Sequence, residues 1–196
     1  MTLVLASTSS SRRALLEAAG VAHEALSPNV DEASVKQSMA GAKPRDLADA
    51  LAEMKAIKIS RRVPGALVLG GDQVLVTDDG VLLDKPASRG DAEAQLRMLS
   101  GRRHRLIAAA VVAEQGRPVW RAVEEVTLTM RVLGDAFITD YLESEWPAIA
   151  GCVGCYRIEG QGIQLFSRIE GSHFAILGLP MLALLGYLRD RGMLKA

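Results

Sequence analysis

The sequence predicts a mixed α/β or α+β protein, one twisted sheet with helices on its faces, and three observations lead there. Its 196 residues suffice for one sizeable domain with a real core. Short apolar runs alternate with segments of helical period, without the strict βαβ rhythm of a purely parallel sheet. No internal repeat or low-complexity linker interrupts them.

Thr2 to Ala6 reads as a short buried strand. Ser9 or Ser10 caps a helix from about Ser11 to Ala19, with Leu15, Leu16 and Ala19 on one face and Gly20 as its stop. Ala22 to Ser27 suits a second strand, followed by the acidic pair Asp31-Glu32 and a polar stretch to Lys43. Pro44 opens a helix reaching about Ser60, with Leu47, Leu51 and Met54 on one face. Ala66 to Val76 is a long apolar strand, interrupted at Gly70-Gly71-Asp72-Gln73, and Asp78-Asp79-Gly80 turns the chain into Val81 to Leu83. Ser88 with Asp91 resembles a capping box before a helix that Gly101 closes. Leu106 to Ala113 is a buried strand and Gln115-Gly116 a turn. From Val119 to Val132, Val126, Leu128 and Met130 alternate with Thr127, Thr129 and Arg131, the pattern of a half-exposed strand. A helix from Asp135 to Glu145, a Gly-rich loop, a strand near Ile163 to Ile169 and a helix from Pro180 complete the chain.

Charge and hydropathy exclude several classes. The 23 basic and 23 acidic residues balance, with no polybasic tail, which argues against a nonspecific nucleic-acid binder. Met1-Thr2-Leu3-Val4-Leu5 lacks a basic n-region and a long apolar core, so no secretory leader is expected. Phe174 to Leu188 is too short to span a bilayer comfortably, and Gly178 with Pro180 reads as a turn into a buried helix. A cytoplasmic protein without a membrane partner is the expectation. Cys152-Val153-Gly154-Cys155 has a redox-like spacing, but the glycines around it disfavour the helix such a site needs. The three histidines show no spacing that would complete a zinc site, so two small thiols lining a tight loop is the preferred reading.

Chemistry gathers elsewhere. The first strand-to-helix turn holds Ser7, Ser9, Ser10 and Ser11 with Arg12 and Arg13. A helix N-terminus presents unpaired N–H groups and partial positive charge, so this donor set suits a phosphate. Plain capping by the serines and solvent exposure of the arginines explain the turn equally well. Asp72 ends the most apolar strand, where glycines permit close approach of a ligand. With Lys55 and Lys85 in separate places, these are the groups that polyphosphate and a divalent metal require.

Leu5-Ala6-Ser7 with Arg12-Arg13, Val30-Asp31-Glu32, Ala52-Glu53-Met54-Lys55-Ala56, Gly71-Asp72, Asp84-Lys85-Pro86, Leu99-Ser100-Gly101, Gly160-Gln161-Gly162 and Gly178-Leu179-Pro180 occur in that order. On these segments the chain resembles the Maf-like nucleoside triphosphate pyrophosphatase family from end to end. One departure is Ser10, where many relatives have proline. The resemblance implies a single two-lobed, ITPase-like domain over residues 1–196 with a central cleft, usually homodimeric. The implied reaction cleaves the α–β phosphoanhydride of a nucleoside triphosphate to monophosphate and pyrophosphate, with a divalent cation, Mg2+ or Mn2+. Carried over by residue, Asp72 is the proton acceptor; Ser7, Arg12, Arg13, Lys55 and Lys85 hold phosphates; Glu32 and Asp72 serve the metal. Ser11, Gln73 and Glu159 fall at positions tied to substrate choice.

Relatives acting on dTTP and UTP tend to carry threonine or serine after the aspartate and glutamine in the late loop. Gln73 and Glu159 instead resemble the 7-methyl-GTP branch. Guanine offers adjacent N1–H and N2 donors that a carboxylate accepts, and N7 methylation adds positive charge that strengthens the match. An aromatic can stand at position 11 in that branch; Ser11 cannot stack on a cationic base, which leaves Tyr156 as a substitute. The alternatives are a dTTP/UTP pyrophosphatase of the same family and a non-catalytic nucleotide-binding regulator of septum formation. Retention of Asp72, Glu32, Lys55 and Lys85 argues against the latter.

Overall fold

A computed structural model describes residues 2–195. Among them, seven strands form a mixed sheet: β1 (Leu3–Ala6), β2 (Glu24–Ala25), β3 (Leu67–Thr77), β4 (Leu82–Leu83), β5 (Arg103–Glu114), β6 (Arg117–Met130) and β7 (Phe166–Glu170). Their order is β2-β1-β3-β5-β6-β7, with β4 beside β3. The described helices are α1 (Ser10–Ala18), α2 (Glu32–Ser38), α3 (Pro44–Ser60), α4 (Arg89–Leu99), α5 (Asp135–Glu145), α6 (His173–Ile176) and α7 (Met181–Asp190), with 3-10 turns at Ala148–Gly151 and Gln161–Leu165. The expected mixed α/β class is the observed one, and the chain divides into two compact units.

The first unit takes the chain up to Gln73, Ile107–Glu124, and the chain from Ser172 onward. Here β1 lies parallel to both β2 and β3, with Leu3 opposite Leu67 and Ala6 opposite Gly70. Leu3, Leu5, Leu67 and Leu69 turn to one face and pack with Leu15 and Leu16 of α1 and Met181, Leu184 and Leu188 of α7. Val4, Ala6 and Val68 turn to the other, against Ile59 of α3. Covering both faces explains why these strands read as unbroken apolar runs rather than alternating ones. Each fully buried leucine contributes about 1.5–3 kcal/mol to that core.

The second unit takes Val74–Leu106 and Glu125–Gly171. In it β4 folds back antiparallel on β3, with Leu75 opposite Leu83, and β7 runs antiparallel to β6, with Leu128 opposite Ile169. His104, Tyr156 and Phe166 form an aromatic cluster.

Several expectations need correction. The strand at residues 67–77 is continuous through Gly70-Gly71-Asp72-Gln73, because Gly70 stays extended in the β1 ladder. The polar stretch after Glu32 contains α2, which buries no residue and so lacks an apolar period; Asp31 caps it by accepting from Ser34 N at 3.1 Å. The second strand shrinks to two residues, and the strand near Ile163 begins at Phe166 because Gly160 and Gly162 favour a 3-10 turn first. Before Pro180 stands the short α6. Among the described residues no helix is long and apolar enough to cross a membrane.

Candidate active site

The first unit assembles its polar cluster from five separate stretches of the chain. Ser7 follows β1, and its hydroxyl accepts from Ser9 N at 3.1 Å and from Arg12 Nη1 at 3.3 Å. Ser9 is the N-cap, accepting from Arg12 N at 3.3 Å. The serines therefore shape the turn, and the turn aims Arg12. Its Nε donates to the Gly178 carbonyl at 2.9 Å. Burial lowers the Arg12 pKa, while nearby Asp72 and Glu32 pull it upward. A guanidinium remains charged under these conditions, and so it is held in a partly desolvated place beside two carboxylates. Ser11 is half-buried and Arg13 is exposed on the same helix.

Strand alternation puts Gly70 and Asp72 on one side of β3. A Cβ at Gly70 would lie 2.2 Å from the Ala52 carbonyl oxygen and 2.7 Å from Ala56 N. Only glycine lets α3 press this close, and Lys55 stands between those alanines in sequence. The Lys55 ammonium lies 2.5 Å from Asp72 Oδ1 and 2.6 Å from Glu32 Oε1. Lys55 is 7% exposed and Asp72 6%, so water screens their pairing little. On the opposite side of β3, a Cβ at Gly71 would meet Arg12 Nε at 3.1 Å. Gln73 donates its amide N–H groups to the carbonyls of Ala175 at 2.8 Å and Ile176 at 3.0 Å.

The second unit carries Lys85, exposed after β4, and Glu159, exposed in the Gly-rich loop. The Cys152 thiol is pushed up by burial and by Glu159, and pulled down by Arg157 and Lys85, so these charges share its surroundings. Behind Glu159, Arg157 donates to Glu145 Oε2 from Nη2 at 2.8 Å and from Nε at 3.2 Å, and Glu145 is buried. Gly162 is tucked so close that a Cβ would sit 2.5 Å from the Arg157 carbonyl oxygen. Tyr156 cannot replace an aromatic at Ser11: it is buried, bonded through its hydroxyl to His104 Nε2 at 2.8 Å and set edge-on to Phe166. The two thiols are free, and burial raises Cys155 to about 12, which keeps it protonated.

The profile of the Maf-like protein family matches residues 2–191. The chain belongs to the Maf-like family. It is 52% identical over 195 residues to the nucleoside triphosphate pyrophosphatase of Sphingopyxis alaskensis, covering 98% of each chain. It is 50% identical to nucleoside triphosphate pyrophosphatase 1 of Jannaschia sp., over 97% of each chain. The nucleoside triphosphate pyrophosphatase of Roseobacter denitrificans is also 50% identical, over 97% of this chain and 96% of its own.

In this Maf-like protein, Ser7, Arg12, Glu32, Lys55, Asp72 and Gln73 gather within the first unit, while Lys85 and Glu159 belong to the second. No group of three or more histidine, cysteine, aspartate or glutamate side chains is placed to hold a metal among the described residues. Asp72 and Glu32 still converge, since one ammonium reaches both. Two carboxylates are what a hard divalent cation takes from a protein when phosphate oxygens complete its shell, so the residues fit such an ion. Reading the sequence missed the Gly178 carbonyl and the Glu145–Arg157 pair. Gly178 carried a signal in Gly178-Leu179-Pro180, whereas Glu145 reads as an ordinary helix residue.

Proposed function

We propose that this Maf-like chain is a nucleoside triphosphate pyrophosphatase that cleaves the α–β phosphoanhydride, with 7-methyl-GTP as its substrate. The observation that carries the activity is the Lys55 ammonium held between Asp72 and Glu32, in the electrostatic neighbourhood of Arg12. Phosphoryl chemistry asks a protein chiefly for positioning and charge neutralisation. Arg12, Lys55 and the Ser7 hydroxyl supply donors to phosphate oxygens from the first unit, and Arg13 and Lys85 add exposed cations. Water attacks the α-phosphorus, Asp72 accepts its proton, and the bond to the bridging oxygen breaks as pyrophosphate departs with that electron pair. A divalent cation held by Asp72 and Glu32 would neutralise charge on the phosphates.

Glu159 carries the base assignment. As a carboxylate it accepts from both guanine donors, and it repels the carbonyl-flanked N3–H face of uracil or thymine. Its exposed position beside the Glu145–Arg157 pair supports that role. The test is pyrophosphate release from 7-methyl-GTP, GTP, dTTP and UTP with Mg2+, for wild type and Glu159→Gln. Wild type should favour 7-methyl-GTP, and the variant should lose about ten- to a hundredfold of that preference, the worth of one charge-assisted hydrogen bond. A wild-type preference for dTTP, or an unchanged rank order in the variant, overturns the base assignment. Release from none of the four nucleotides favours the non-catalytic regulator.

A further inference from the structure

Gln73 directly follows Asp72 on β3, yet its amide is spent on protein. Nε2 donates to the Ala175 and Ile176 carbonyls, which belong to the last residues of α6. The Ala175 carbonyl also accepts from Gly178 N at 3.1 Å, but a four-residue helix has no stability of its own. Its place is therefore set by what grips it. Two residues on, Gly178 adopts φ +103° and its carbonyl accepts from Arg12 Nε at 2.9 Å. A Cβ on Gly178 would come within 3.1 Å of that same Nε. Leu179, fully buried, would be 3.2 Å from a Cβ on Gly71. Gln73 and Arg12 thus hold the two ends of one short segment, Ala175 to Gly178.

We propose that Gln73 is a positioning residue: by gripping the end of α6 it fixes the Gly178 carbonyl and so the pose of the Arg12 guanidinium. It then serves the phosphates of every nucleotide alike instead of reading the base. The functional half of this inference rests on Arg12 holding phosphate. A threonine in this position is shorter and has a single donor, so it cannot make both bonds.

The test uses Gln73→Glu, which keeps the shape and removes both donors, and Gln73→Met, which removes all polarity. Hydrogen exchange is followed at the amides of Ile176, Leu177, Gly178 and Leu179, which donate to the carbonyls of residues 172–175. Both variants should exchange about tenfold faster there, the effect of one or two lost hydrogen bonds. KM should rise by a common factor for 7-methyl-GTP, GTP, dTTP and UTP, and the Kd for inorganic pyrophosphate should rise with it. In wild type, pyrophosphate should slow exchange at the same amides, an outcome that needs no variant to fold. Unchanged exchange in folded variants, a loss confined to one base, or no slowing in pyrophosphate-saturated wild type overturns the proposal. Faster exchange in variants of a protein that hydrolyses no nucleotide supports the grip on α6 and refutes the pyrophosphatase reading instead.

Discussion

Replacing Gly70 with alanine tests whether the approach of α3 builds the site. The added methyl would stand 2.2 Å from the Ala52 carbonyl oxygen, 2.7 Å from Ala56 N and 2.9 Å from Ala56 Cβ. Carbon and oxygen rest at roughly 3.3 Å or more, so the helix must withdraw by about 1 Å. Its neighbours there are backbone atoms that no rotamer change can move aside. Overpacking of this kind costs about 1–3 kcal/mol or more, offset by the roughly 0.4–1 kcal/mol that alanine gains through a less mobile unfolded chain. The expected net loss is about 1–2 kcal/mol, or roughly 2–8 °C in Tm for a chain of this length. Lys55 rides on the same helix, so its 2.5 Å bond to Asp72 should open. A displacement of about 1 Å at reacting groups can cost on the order of a hundredfold in rate. Thermal melts followed by circular dichroism and pyrophosphate release from a triphosphate read both effects. Gly186→Ala is the control: nothing lies within 4 Å of its Cβ in α7, so helix propensity should raise stability by about 0.5–1 kcal/mol. Wild-type melting and turnover in Gly70→Ala would refute the packing argument.

Asp72→Asn should abolish turnover in a folded protein, since it preserves volume and removes the carboxylate proposed to accept the proton and to bind a metal; substantial residual turnover would remove Asp72 from that role. Arg12→Ala should lower both Tm and kcat/KM, because the side chain braces Gly178 and Ser7, whereas exposed Arg13→Ala should leave Tm within about 1 °C of wild type and act on kinetics alone. Equal melting losses in the two variants would contradict that division. His104 is fully buried and burial lowers its pKa from 6.5 to about 4. The unfolded chain therefore takes up a proton first, and the contribution of neutral His104 is whole above about pH 6.5 and gone below about pH 4. Urea unfolding from pH 7 to 4.5 should show wild type losing up to about 3 kcal/mol across that window, with a shallower slope in His104→Phe; identical slopes would show that another group titrates.

What the sequence determined alone is what short-range chemistry encodes. Ser9, Ser88 and Pro44 mark helix starts because a cap or a fixed φ acts within one turn. The apolar run reaching Asp72 identifies a doubly covered strand, but the strand continues past Asp72 to Thr77, so the carboxylate sits mid-strand and not at the end where the sequence placed it. The tertiary structure decided everything that depends on distant segments meeting. Glycines that suggested a break in β3 instead admit α3 on one side and Arg12 on the other. α2 shows no apolar period, yet it brings Glu32 to Lys55. Tyr156, an aromatic beside the Gly-rich loop, is committed to His104 and Phe166 inside the second unit. Arg12 bonds to a carbonyl 166 residues away, and Gln73 reaches carbonyls more than a hundred residues on. Residue type and local period specify which groups a segment can offer. Packing decides which of them meet, because an ion pair or hydrogen bond between remote segments forms only where burial and close approach have already brought its partners together.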